Sequence, residues 1–148
     1  MEYNKFIEII EKMVKSHNNK TLLENLQSLN LSPDLENYVI PKIDDLVSAL
    51  LTKSINSILK NINNIFSDRN YLDLTLLEFI KDLVYINNII KCTVTDDEYK
   101  TKIHNKVLEN ADKVFDILLK EAKKHDYIGE YTHIINNYKK KWSEKNEL

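Results

Sequence analysis

The chain has 148 residues, a net charge of −2 and acidic and basic residues interleaved along its length. One domain with a sizeable core is therefore expected, and broad electrostatic attraction to nucleic acid or to an anionic membrane is not. Glycine occurs once, at Gly129, and proline twice, at Pro33 and Pro41; hairpins and phosphate-cradling loops draw on residues that tolerate positive φ, so this scarcity excludes a β-rich fold and a Rossmann or P-loop nucleotide site.

The first element is a helix from Glu2 to about Ser16. Tyr3, Phe6, Ile7, Ile10, Met13 and Val14 recur at three- and four-residue spacing and form one apolar stripe. The polar run from His17 to Lys20 ends it. Thr21 with Glu24 has capping-box spacing and predicts a short second helix bearing Leu22, Leu23, Leu26 and Leu29. Ser32-Pro33 marks a third start, with serine as N-cap and proline in the first helical position. Pro41 disfavours helical geometry at Ile40, so a kink or restart is expected there.

From Ile43 to Phe66 the apolar residues keep helical periodicity almost unbroken. About 24 residues make a helix of roughly 36 Å, as long as the whole domain is wide. A helix over about 42–66 is therefore expected to cross the bundle. After Asp45 its charges are Lys53 and Lys60 alone, which suits a central helix covered on most sides. The Ser67-Asp68-Arg69-Asn70 run breaks it, and Asp73 or Thr75 is expected to cap a partner helix over 75–91. Leu83 to Ile90 of that helix is again nearly free of charge. Thr95 with Glu98 is the strongest helix start in the chain and begins a fifth helix that reaches about Lys124. After the turn at Gly129, a sixth helix from Glu130 to about Ser143 carries Tyr131, Ile134, Ile135, Tyr138 and Trp142, and the tail 144–148 is expected to fray. The fold class is all-α, a single bundle of about six helices.

Few side chains are spaced for chemistry. Glu130 and His133 make the one Glu-x-x-His pair, whereas a di-metal bundle needs two such pairs and further glutamates. Glu78–Asp82, Glu109–Asp112 and Asp112–Asp116 are acid pairs on single helical faces, each with lysines nearby, and solvated faces explain them. Arg69, the single arginine, is followed by no histidine at nuclease spacing. His104 beside Lys106 lacks the glycine of a phosphotransfer site. Catalytic residues, metal ligands and cofactors are not expected, and neither is enzymatic activity. Cys92, the single cysteine, cannot form an internal disulfide and suits a reducing cytoplasm. The first residues lack the form of a signal peptide, and no apolar run is long enough to span a membrane.

What remains is binding. Most of the charge-poor 43–66 helix is expected to be buried; if Asn56, Lys60, Asn63 and Asn64 face solvent instead, that face is the first candidate contact surface. The expected function is a non-enzymatic protein-binding module acting by stoichiometric contact, as a monomer or a homodimer. The second reading is a helical nucleic-acid-binding regulator that uses Tyr138, Lys139, Lys140, Lys141 and Trp142, where aromatics flank lysines. Twenty lysines to one arginine, with abundant Asn and Ile, are the residues of A/T-rich codons and point to an AT-rich genome such as that of a low-GC bacterium, a phage or mobile element, or a large DNA virus. In size, class and composition the chain resembles toxin-neutralising immunity proteins and helical host-defence antagonists; this resemblance carries no motif and implies no functional residues.

Overall fold

The computed structural model describes residues 2–126 and 128–148. Among these residues there are seven α-helices, one 3-10 turn and no strand. The helices are α1 (Glu2–Lys15), α2 (Lys20–Gln27), α3 (Glu36–Lys60), α4 (Ile62–Ile65), α5 (Arg69–Thr93), α6 (Asp97–His125) and α7 (Glu130–Lys145), with the 3-10 turn Pro33–Leu35 leading into α3. The all-α bundle expected from the sequence is what forms, and one apolar cluster joins all the longer helices.

The helix starts differ from expectation by where the capping carboxamides and carboxylates lie. Asn19, not Thr21, caps α2, accepting from the Leu22 amide at 3.0 Å. Asp68 caps α5 by accepting from the Asn70 amide at 2.9 Å, so α5 begins at Arg69 and not near Thr75. The run read as a breaker is thus also a start. Asp96 rather than Thr95 caps α6, its carboxylate accepting from the Glu98 and Tyr99 amides. Thr95 donates its hydroxyl to Glu36 and ties this corner to the start of α3.

Two corrections concern α3. Pro41 neither kinks nor restarts the chain but lies inside one continuous helix. The carbonyl that its missing N–H leaves unpaired belongs to Asn37, and both residues are exposed, so water can satisfy it. The helix also stops at Lys60 instead of running to Phe66. Asn61 leaves helical geometry at φ −110°, and its side-chain amide takes over the Ser57 carbonyl at 3.0 Å. The single turn of α4 then drops Ile65 and Phe66 into the core.

The centre of the bundle is α5 rather than α3. It packs against α2, α3, α4, α6 and α7, whereas α3 packs against α1, α4, α5, α6 and the 3-10 turn and keeps an open side along its second half. Phe79 of α5 meets Phe115 of α6 edge-on with ring centroids 5.8 Å apart. The end of the chain is held as well. Helix α7 continues to Lys145, the Asn146 carbonyl accepts from His104 and Asn87, and Leu148 is half-buried against the core.

Candidate functional site: an open groove between α3 and α5

On the open side of α3, a helical surface follows directly from the sequence spacing. Ala49, Thr52, Asn56 and Leu59 recur at three- and four-residue intervals and are all exposed, and Asn63 of α4 is exposed just beyond the end of α3. This outer strip carries no charge. Lys53, Ser57 and Lys60 form the next exposed stripe, of which Lys53 and Ser57 line a groove. The expectation that most of this helix would be buried therefore fails for its second half. Asn56, Lys60, Asn63 and Asn64 all face solvent. Serine, threonine and asparagine hydrate well without charge, so the lack of ionised residues did not signal burial.

The groove is a cavity of about 380 Å³ between α3 and α5. Its floor is apolar, made by Ile58 of α3 and by Phe79 and Ile86 of α5, all nearly fully buried. Tyr71 and Leu74 of α5 stand on the far rim, 44% and 58% exposed. With the apolar floor they make a contiguous apolar patch beside a concavity, the kind of surface that serves as a contact site. Ser16, His17 and Asn18, from the link between α1 and α2, close one end.

That closed end is organised around Asp82. Ser54, a buried residue of α3, donates its hydroxyl to Asp82 Oδ2 at 2.8 Å, a bond across the two helices. The Asn18 side-chain amide donates to Oδ1. His17 Nε2 lies 3.6 Å from Asp82 and 3.9 Å from Glu78. Asn18 reaches Asp82 because its backbone adopts φ 46°, the left-handed region that asparagine tolerates better than most residues. The link is pinned twice more. Tyr85 donates its hydroxyl to the Asn19 carbonyl at 2.9 Å, and Lys53 donates to the Ser16 carbonyl at 3.2 Å. Burial pushes the Tyr85 phenol above its usual pKa, which keeps it a donor.

The sequence marked Glu78–Asp82 as an acid pair on a solvated face. Glu78 keeps that character, paired with Lys81 at 3.6 Å, but the Asp82 side chain is only 13% exposed. His17, Asn18 and Ser54 were not singled out. The signal lies in contacts between residues 28 to 64 positions apart, to which local periodicity is blind. The helix-ending run His17-Asn18-Asn19 supplies a left-handed turn, contacts to Glu78, Asp82 and Tyr85 of α5 and the cap of α2. Among the described residues no three His, Cys, Asp or Glu side chains form a group that would hold a metal ion.

The Lys-rich segment of α7 is arranged differently from what a base-stacking surface requires. Tyr138 and Trp142 are 5% and 2% exposed and belong to the core. Tyr138 donates its hydroxyl to Asp73 at 2.7 Å, and burial together with that neighbouring carboxylate pushes its pKa up to about 12. Lys139 pairs with Asp116 at 4.0 Å, and Lys141 lies over the Tyr138 ring at 4.6 Å from its centroid. Lys140 and Lys141 stay exposed, but no aromatic face is open between them. The remaining sequence candidates are separate. Glu130 pairs with Arg69, and His133 lies on the surface beside Asn137. No helix is long and apolar enough to cross a membrane. No family model, curated protein or solved structure matches the chain.

Proposed function

We propose that this chain is a non-enzymatic protein-binding module that acts by stoichiometric contact through the α3–α5 face. The observation that carries the reading is the pairing of an uncharged exposed strip (Thr52, Asn56, Leu59, Asn63) with an apolar groove rimmed by Tyr71 and Leu74. Contact surfaces are depleted in charge at their centre and enriched in aromatic and apolar anchors. Here both properties occur side by side in a chain of which 30% is charged. The walls are preformed, since Ser54–Asp82 and the pinned α1–α2 link hold them, and a preformed groove loses little entropy on binding. Neutralising a toxin or blocking a host-defence protein are roles of this kind, and the single cysteine suits such work in a reducing cytoplasm.

The test compares capture from a lysate by the wild-type protein, by Leu74→Asp and by Lys140→Ala. Leu74 is exposed, so the aspartate should fold and still place a charge at the rim. A partner retained by wild type and K140A but lost by L74D supports the reading. A partner retained equally by all three, or lost only with K140A, contradicts it. Light scattering on the same samples shows whether a second copy of the chain is the occupant.

A further inference from the structure

We infer that the closed end of the groove is a seat for one basic side chain, an arginine or lysine, of the protein partner. The inference rests on the reading of the groove as a contact surface and names the chemistry that this surface selects. The charged residues lining the cavity are Glu78, Asp82 and Lys53. Lys53 Nζ is held by the Ser16 carbonyl at 3.2 Å and, among the described residues, makes no ion pair with either carboxylate. Asp82 is the more enclosed of the two acids, and its partners Ser54 and Asn18 are neutral donors. Among the described residues its one ion-pair neighbour is His17, which is cationic only when protonated. Both Asp82 oxygens thus accept a hydrogen bond from a neutral group, but among the described residues no permanently charged side chain pairs with it.

The surroundings say what would complete it. Leu74, Phe79 and Ile58 provide an apolar path from the rim to Asp82, matched to an aliphatic stem that ends in a cation. An anionic or acidic segment would meet Glu78 and Asp82 at the end of the same path and is disfavoured. Arginine suits the seat well, because its planar fork can bond Asp82 and Glu78, which lie one helical turn apart on α5. His17 stands beside both acids and competes for this position.

The test titrates the full-length protein with hexylguanidinium as the stem-and-cation probe, hexylurea as its neutral isostere and hexanoate as the anion, read by amide NMR shifts. Hexylguanidinium should shift the amides of Ser54, Leu74 and Asp82 and bind at least about tenfold more tightly than hexylurea, the difference expected between charged and neutral hydrogen bonds. Hexanoate should bind more weakly than either. In Asp82→Asn the preference for the cation should shrink to within about threefold, and in His17→Ala it should persist or grow. Glu78 is exposed enough for Glu78→Gln to fold if D82N does not, and E78Q should narrow the same preference. Equal binding of cation and urea, shifts outside the groove, a preference that survives both carboxylate substitutions, or no binding of any probe would each overturn the seat. None of these results bears on whether L74D loses a captured partner, so the two readings fail separately.

Discussion

Helices α3 and α5 look alike in the sequence, each long, apolar and poor in charge along part of its length, yet they end in opposite environments. From Leu83 to Ile90, α5 places large apolar residues on every side, and α2, α6 and α7 cover them. From Ala49 onward, α3 keeps Leu51, Ile55 and Ile58 on its inner side, while its outer side, Ala49 and Leu59 apart, is Ser, Thr, Asn and Lys and remains in water. Charge poverty alone does not decide burial. What decides it is whether the apolar residues encircle the helix or occupy one stripe.

Substitutions along the two helices break or sharpen this contrast. The largest effect is expected at Phe79, which is 1% exposed and packs edge-on against Phe115. Phe79→Ala should destabilise the fold by about 3–5 kcal/mol in urea unfolding. A loss below about 1 kcal/mol would mean that the centre of the bundle is less tightly packed than described. Ser54→Ala, at the junction of the two helices, removes the hydroxyl that bridges to Asp82 and should cost about 1 kcal/mol. An unchanged midpoint would show that water replaces that bond without loss. On the outer strip, Asn56→Ala and Asn63→Ala should each stay within about 0.5 kcal/mol of wild type. A larger destabilisation would place that face in the interior after all.

The smallest effect is kinetic and lies at the C-terminal end of α5. Cys92 as a residue is exposed, but partial desolvation of its thiol, which donates to the Ile89 carbonyl, pushes its pKa up to about 11. Labelling by an aromatic disulfide at pH 8 should run about tenfold slower than for a free cysteine and should accelerate as pH rises toward 11, because the thiolate is the nucleophile. The linked stability has the matching sign. It is fully present below the unfolded thiol's pKa and is lost as pH rises through the folded value. Labelling at the free-cysteine rate would contradict this placement.

Much of the fold was legible in the sequence, because it rests on local signals. The stripe of α1, the long apolar periodicity of α3 and α5, and the core positions of Tyr138 and Trp142 follow from three- and four-residue spacing. Boundaries were harder, since Asn19, Asp68 and Asp96 compete with neighbouring capping residues of equal chemistry. Pro41 misled because its cost depends on whether the carbonyl one turn earlier meets water. The groove was only partly legible. The spacing identified Asn56, Lys60, Asn63 and Asn64 as a charge-poor face, but Asp82 becomes a hub only when Asn18 and Ser54 arrive from distant segments.

The most direct test of the central claim is side-chain footprinting of the protein alone and in complex with a captured partner. The account predicts protection concentrated at Thr52–Asn64 and at Tyr71 and Leu74, with Lys140, Lys141 and Lys145 of α7 still as reactive as in the free protein. Protection of those lysines, with Tyr71 and Leu74 unchanged, would contradict it.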